Sequence, residues 1–155
     1  MVKTRIVYPD AAGERELLDR RAERTSQIPS ISQVTDGDEV AQMQAVAETV
    51  TVDGKLRDYM VALGRETRTV ARVDIGVSPR GIQRLFEASR ARALVNGREY
   101  VAPDDVKEVI HPTFDHRIVL TSEARIQNTT GEQVVDDVIS AVDVPVMDEL
   151  SERSG

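Results

Sequence analysis

The stretch GVSPRG at residues 76–81 combines residue types that could bind an anion. Ser78 can cap a helix and Pro79 suits the first helical position, so the stretch predicts a helix that begins here. Arg80 then places a cation in the first turn, where unpaired backbone N–H groups already favour negative charge, at a cost of up to about 1 kcal/mol. Gly81 lacks a side chain and would let a ligand or another backbone approach. We therefore expect an anion-facing corner at this helix N-terminus.

The residues that follow allow other interpretations of the same segment. Residues 78–98 carry five arginines against one acid, Glu87, which gives a local charge of +4. The five are Arg80, Arg84, Arg90, Arg92 and Arg98. Such a segment could bind DNA phosphates, contact a neighbouring subunit, or form a solvated face of ion pairs four residues apart. Arg80 itself could simply reach solvent or pair with a nearby acid such as Asp74.

Other catalytic motifs are absent from the sequence. It contains no GxxxxGK[ST] phosphate loop, GxGxxG turn, HExxH or GxSxG. His111 and His116, with Glu108 and Asp115 nearby, form the only possible imidazole ligand set, but Pro112 and the five-residue spacing do not put both on one helix face. We predict no metal site, and a metal-dependent enzyme based on this region is the third-ranked alternative.

The composition limits the class of protein. With 155 residues, 40% hydrophobic and 3% aromatic, the chain can form one compact core of aliphatic residues, which favours helices packed on helices. It has no cysteine, as expected in a reducing compartment. No apolar run approaches the roughly 20 residues of a membrane helix, and the N-terminus lacks the apolar region of a signal peptide. We expect a soluble, cytoplasmic protein.

The charge balance argues against general attraction to polyanions. There are 27 acidic and 20 basic residues, a net charge of -7, so the whole molecule is not expected to attract nucleic acid or an anionic membrane. Only three of the basic residues are lysines. Scarce lysine on an acidic chain suggests adaptation to high salt, and a codon bias that favours arginine explains it equally well.

The apolar periodicity predicts a mainly α chain, a small helical bundle with short extended segments near the N-terminus and around 116–120. A strand is expected at 4–8, stopped by Pro9. The apolar faces of 36–50 and 52–68 predict two antiparallel core helices. Helices are expected within 9–24, 36–50, 52–68, 78–96, 98–110 and 129–142. Asn96-Gly97 would stop the helix within 78–96, and the helix within 98–110 would begin at Pro103 and be ended by Pro112. Residues 25–34 are expected to form a loop.

Four segments of the sequence are informative together: IVYPD, ERELLDRRA, DYMVALGRETR and GVSPRGIQRLFEASRARALVNGREYVAPDDVKEVIHPTFDHRIVL. They closely resemble the C-terminal helical lid of the MoxR branch of AAA+ ATPases. That lid is similar to the lid of magnesium chelatase subunits. The resemblance runs from about Ile6 to Pro145. It implies a remnant strand and hinge from a nucleotide-binding core at 1–10, a helical lid at 11–145 and an acidic flexible tail at 146–155. A halophilic archaeon is the expected source.

The resemblance also assigns roles to residues. Arg80 would be the second-sensor arginine that contacts the γ-phosphate of ATP, with Ser78, Pro79 and Gly81 in the same motif. Tyr8 would lie in the hinge beside the nucleotide base. The Walker motifs and the Mg²⁺ ligands would belong to a core domain that this chain lacks, so we do not expect the chain alone to hydrolyse ATP, whereas the parent protein would be an ATPase.

The family implies partners as well. The intact protein would act as a nucleotide-driven remodelling chaperone in a hexameric ring, contacting its own core domain and neighbouring subunits. Partners with von Willebrand A domains would receive help with metal insertion or complex assembly. The alternative is a stand-alone helical interaction or DNA-binding domain that uses the arginine-rich helix 78–96.

Overall fold

A computed structural model describes residues 2–4, 6–24 and 31–147. Within them the chain is mainly helical, which confirms the predicted fold class. It forms seven α-helices and one two-stranded sheet over these ranges. The elements are α1 (Ala11–Ala22), α2 (Gly37–Thr49), α3 (Gly54–Glu66), β1 (Val73–Ile75), α4 (Pro79–Val95), α5 (Pro103–Phe114), β2 (Val119–Leu120), α6 (Ser122–Ile126) and α7 (Gly131–Ala141).

The described residues divide into two compact units. The smaller unit lies within 4–43 and holds α1 and the first two turns of α2. The Asp10 carboxylate caps α1 by accepting a hydrogen bond from the Gly13 amide at 2.9 Å, as the sequence predicts, and no residue of α1 is buried. The larger unit holds the end of α2 and every later element.

The core of the larger unit lies between α3, α4, α5 and α7, where α4 packs on α3 and α5, and α7 packs on α5 and α3. The apolar faces predicted for α3, α4 and α7 supply most of it, so these three helices are confirmed. Its buried residues are Val50, Leu56, Tyr59, Met60, Leu63, Val77, Leu85, Ala93, Val101, Val106, Ile110, Phe114, Val134, Val135 and Val138.

Local chemistry sets where the core helices begin and end. Asp53 caps α3 by accepting from the Lys55 amide at 2.7 Å, and Thr130 and Gln133 cap α7 reciprocally. Helix α4 stops at Asn96, and Gly97 follows with a φ of 73°, a left-handed conformation that suits glycine. The Asn96-Gly97 stop signal is therefore confirmed.

Helix α5 does not end at Pro112, so this prediction is wrong. The helix continues through the proline to Phe114. A proline this close to the helix end removes few backbone hydrogen bonds, and burial of Thr113 and Phe114 in the core favours continuing the turn. The Thr113 hydroxyl also donates to the Val109 carbonyl at 2.7 Å.

The strand expected at 4–8 is not formed within the described residues 4 and 6–8, where no neighbouring strand offers the hydrogen bonds that a strand requires; residue 5 lies outside the described part. Its pairing with a sheet of a separate core domain stays a prediction. The prediction that residues 36–50 form a core helix is wrong. Helix α2 is present but is not a core helix, because none of its residues is buried. Its apolar periodicity is real, but the described chain does not cover that face.

The small sheet joins segments that are distant in sequence. Strands β1 and β2 are antiparallel, with Val73 opposite Leu120 and Ile75 opposite Val119. The extended segment predicted around 116–120 is thus partly confirmed, since residues 119–120 form β2 while 115–117 form a turn of 3-10 helix. Neither β1 nor the short helix α6 was predicted. In the predicted loop, residues 31–34 carry no regular structure, and 25–30 lie outside the described part.

Candidate functional site at the start of α4

Helix α4 begins where GVSPRG predicts. Ser78 has extended backbone dihedrals and its hydroxyl accepts a hydrogen bond from the Gly81 amide at 3.3 Å, while Pro79 is the first helical residue. Both Ser78 and Pro79 are exposed. The cap and the proline therefore place Arg80 in the first turn, beside the positive end of the backbone dipole.

Arg80 is exposed, and within residues 2–4, 6–24 and 31–147 it makes no hydrogen bond or ion pair. The pairing with Asp74 that the sequence allows is not formed. A guanidinium carries five N–H donors and no acceptor, so Arg80 offers a full set of donors to an external anion. Its side chain is not locked in the interior of the described chain.

The other four arginines of residues 78–98 are all paired with acids. Arg90 is buried; its Nη1 donates to Glu48 Oε2 at 2.7 Å and its Nε to the Val50 carbonyl at 3.1 Å. The remaining ion pairs are Arg84 with Glu87, Arg92 with Glu108, and Arg98 with Asp105. Of the four ion pairs, only Arg84 with Glu87 joins two residues of the same helix. The interpretation that these arginines form a solvated face of ion pairs four residues apart is therefore wrong.

The loop before α4 is held by the end of α3. The Thr67 hydroxyl accepts from the Val77 amide at 2.9 Å and donates to the Gly64 carbonyl at 2.7 Å. Arg68 Nε donates to the Val77 carbonyl at 2.8 Å. Thr67 and Arg68 end the DYMVALGRETR segment but were not predicted as site residues, because their shared partner Val77 lies nine or ten residues further along the chain and leaves no local signal.

Gly81 is buried, and its missing side chain is needed for packing within the chain. A Cβ at this position would lie 2.4 Å from Val77 Cγ1 and 3.3 Å from Arg117 Cδ. The close approach that the sequence predicts therefore occurs with the protein's own side chains. A role of Gly81 in ligand approach stays a prediction.

The remaining sequence candidates are Tyr8 and the region of His111 and His116. Tyr8 is exposed and belongs to the smaller unit, so its contact with a nucleotide base stays a prediction. The His111 ring lies between two carboxylates, with Nδ1 at 3.2 Å from Asp115 Oδ1 and Nε2 at 3.3 Å from Asp136 Oδ1. Burial raises the pKa of Asp115, although the hydrogen bond with His111 opposes this. The described residues contain no group of three or more His, Asp or Glu that could hold a metal ion.

The start of α4 can bind an anion but cannot enclose one. It offers the Arg80 guanidinium and a helix N-terminus on an exposed surface, with no phosphate loop in the sequence to hold the rest of a nucleotide. The site therefore offers hydrogen-bond donors to one exposed anionic group.

Comparisons with known proteins find relatives for most of this chain. A family model described as an AAA lid domain matches residues 65–138, which include α4. The protein YeaC of Bacillus subtilis is 33% identical over 94% of this chain and 45% of its own length. Chaperone MoxR1 of Mycobacterium tuberculosis is 30% identical over 99% of this chain and 42% of its own length. The chain thus spans less than half the length of these relatives.

A solved structure supports the fold. A candidate ATPase from Cytophaga hutchinsonii superimposes with a TM-score of 0.86 at 24% identity, over 94% of this chain and 47% of that one. Within the described ranges, none of the helices has the length and apolar character required to cross a bilayer.

Proposed function

Because this chain carries an AAA lid domain of the MoxR family, we propose that in the whole protein it couples ATP binding and hydrolysis to chaperone-like remodelling of partner proteins. The lid would do this through Arg80, which would donate hydrogen bonds to the γ-phosphate of ATP held by a separate core domain. The name of MoxR1 as a chaperone supports the remodelling role.

One observation supports Arg80 as the nucleotide contact. It is the arginine of residues 78–98 that has no acid partner in the described chain, and it lies where the helix dipole repels a cation. A bound triphosphate would reverse this penalty, because its negative charge favours both the guanidinium and the helix N-terminus. The arrangement is unfavourable without an anion and favourable with one.

The remaining components belong to the proposed whole protein. Its core domain would hold Mg²⁺ and the α- and β-phosphates, and its subunits would assemble into a cytoplasmic hexameric ring. Metal insertion or complex assembly on partners with von Willebrand A domains would be the work performed. Tyr8 would lie in the hinge between core and lid, beside the base.

The role of Arg80 is tested by steady-state ATP turnover of the whole protein that contains this chain. We expect Arg80→Ala to lower kcat tenfold or more, because a charge-assisted hydrogen bond to phosphate contributes about 1.5–3 kcal/mol. Thermal unfolding without nucleotide should be unchanged or slightly raised, since Arg80 is exposed and unpaired in the described chain and its cation costs up to about 1 kcal/mol in the first helical turn. Arg84→Ala is the matched control, because Arg84 lies one turn later and loses only its pair with Glu87. Normal turnover of Arg80→Ala would contradict the proposal.

A sequence observation separates this proposal from a stand-alone helical or DNA-binding domain. We expect the reading frame that contains this chain to encode a GxxxxGK[ST] motif ahead of residue 1. A frame without that motif would contradict the ATPase proposal and favour the stand-alone domain.

A further inference from the structure

We propose that Thr67 and Arg68 are positioning residues for Arg80, an inference that rests on the proposed function of Arg80 at the γ-phosphate. They hold the loop before α4 against the end of α3 and so fix the direction from which Arg80 leaves the helix. Both bond to the backbone of Val77, the residue before the Ser78 cap.

Thr67 provides the first attachment. Its side chain is fully buried, and its hydroxyl both donates to the Gly64 carbonyl at 2.7 Å and accepts from the Val77 amide at 2.9 Å. Many threonine hydroxyls near helix ends bond only to their own helix. This one also reaches ten residues along the chain, so the last turn of α3 and the residue before the Ser78 cap share one buried hydrogen-bonding group.

Arg68 provides the second attachment at the same residue. Its Nε donates to the Val77 carbonyl at 2.8 Å, so both backbone polar groups of Val77 are held by neighbouring residues of one segment. Gly76 lies against this pair: a Cβ there would stand 2.8 Å from the Thr67 carbonyl oxygen and 2.7 Å from Arg68 Cγ. The loop therefore has little room to shift over the end of α3.

Close packing continues the attachment into α4. The Val77 side chain is fully buried and lies against Gly81, and Gly64 of α3 lies against Ile82. The residues on both sides of Arg80 are therefore held to α3, while Arg80 itself stays exposed. Reacting groups need placement within about 0.5 Å, and a displacement of about 1 Å can cost a hundredfold in rate.

Turnover of the whole protein tests the role of the Thr67 hydroxyl. We expect Thr67→Val to lower kcat tenfold or more with little change in KM, and Thr67→Ser, which keeps the hydroxyl, to restore kcat to within about threefold. Ser89→Ala is the matched control: Ser89 is also fully buried and bonds to the Leu85 carbonyl at 2.9 Å, but within α4 and far from its start. Equal losses in Thr67→Val and Ser89→Ala would show a general effect of stability and overturn the inference.

A double-mutant cycle separates positioning from a general structural role. If Thr67 acts through Arg80, Thr67→Val should lower kcat no further in a protein that already carries Arg80→Ala. Additive losses would overturn the inference while leaving Arg80 in its role. Normal turnover of the single variant Arg80→Ala would instead overturn the proposed function itself, so the two failures are distinguishable.

A second variant and a measurement without ATP keep the inference testable if Thr67→Val folds poorly. Arg68 is exposed, so Arg68→Met should fold; we expect a smaller loss of kcat that is again absent in the Arg80→Ala background.

In this chain alone, ¹⁵N relaxation should give order parameters near 0.85 for the amides of Arg80 and Gly81, falling below about 0.7 in Arg68→Met. Unchanged order parameters together with unchanged turnover would overturn the inference.

Discussion

Asp105 shows how one buried carboxylate holds two segments together. It receives hydrogen bonds from Arg98 Nη1 at 2.5 Å, Arg98 Nη2 at 2.6 Å and the Ala102 amide at 2.8 Å. Burial alone would raise the pKa of Asp105, but the hydrogen bonds from Arg98 and Ala102 outweigh burial and lower it. The carboxylate therefore fixes the start of α5 to the segment that follows α4.

Replacing this carboxylate should destabilise the fold. Asp105→Asn leaves Arg98 without its partner, and we expect a loss of about 2–4 kcal/mol in the free energy of unfolding at pH 7. The folded pKa lies below the unfolded value of about 3.9, so the contribution is fully present above that value and is lost as pH falls through the folded pKa. Urea unfolding of the unchanged chain and of Asp105→Asn at pH 7 measures the loss of stability. The same comparison near pH 3 measures how far the contribution of the carboxylate falls in acid. Asp104→Asn is the control, because Asp104 is exposed; an equal loss there would contradict the account.

The residues of the site differ in how far sequence could identify them. Ser78, Pro79 and Arg80 follow from capping chemistry within four residues, and the structure places all three at the predicted helix start. The pairing of Arg90 with Glu48 joins residues 42 apart, and the bond from the Val77 amide to Thr67 joins residues ten apart. Such partners depend on packing between elements, which periodicity does not reveal.

At the scale of elements, the crossing of α3 and α4 depends on one glycine. A Cβ at Gly64 would lie 2.3 Å from Ile82 Cγ1 and 2.5 Å from Ile82 Cδ1. Elsewhere in a helix, alanine is favoured over glycine by about 1 kcal/mol. Here the overpacking penalty of about 1–3 kcal/mol opposes that gain.

We therefore expect Gly64→Ala to destabilise the chain by about 1 kcal/mol or more in urea unfolding. Ile82→Ala removes both atoms that the new Cβ would meet, so in that background Gly64→Ala should become neutral or stabilising by up to about 1 kcal/mol. A stabilised Gly64→Ala single variant would contradict the close packing of α3 on α4.

The elements that sequence predicts correctly are those with local signals. Helices α3, α4 and α7 combine an apolar face with an adequate cap, and each appears within a few residues of its predicted bounds. The predictions that failed concern contacts between elements. Periodicity indicates that α2 has an apolar face but not whether anything covers it, and the pairing of β1 with β2 brings together residues more than 40 positions apart.

At the scale of the whole molecule, charge argues against binding to DNA. The net charge is -7, and four of the five arginines of residues 78–98 are neutralised by acids of the same chain. We expect duplex DNA to bind with a Kd weaker than about 10⁻⁴ M at 150 mM salt, the weak end of non-specific binding. Fluorescence anisotropy checks this; micromolar binding that weakens steeply with salt would support the DNA-binding alternative.

The division of labour between this lid and a core domain stays a prediction, as do the boundaries at residues 10 and 145. The resemblance of GVSPRG and its surroundings indicates the lid from the amino-acid sequence alone, because that stretch has specific residues at specific spacing. The fold of a single lid does not depend on ring size, on von Willebrand A partners or on a halophilic source. Ring size and partners are properties of the whole protein and its complexes.

The contact between Arg80 and a γ-phosphate is tested most directly by comparing nucleotide affinities of the whole protein and its Arg80→Ala variant. Calorimetric titration with ADP alone and with ADP plus aluminium fluoride, a mimic of the phosphate during its transfer, isolates the terminal phosphate at the stage that sets kcat. We predict that the variant loses about 10- to 150-fold in affinity for ADP with aluminium fluoride and keeps its affinity for ADP alone. An equal loss in both titrations, or no loss in either, would contradict the account.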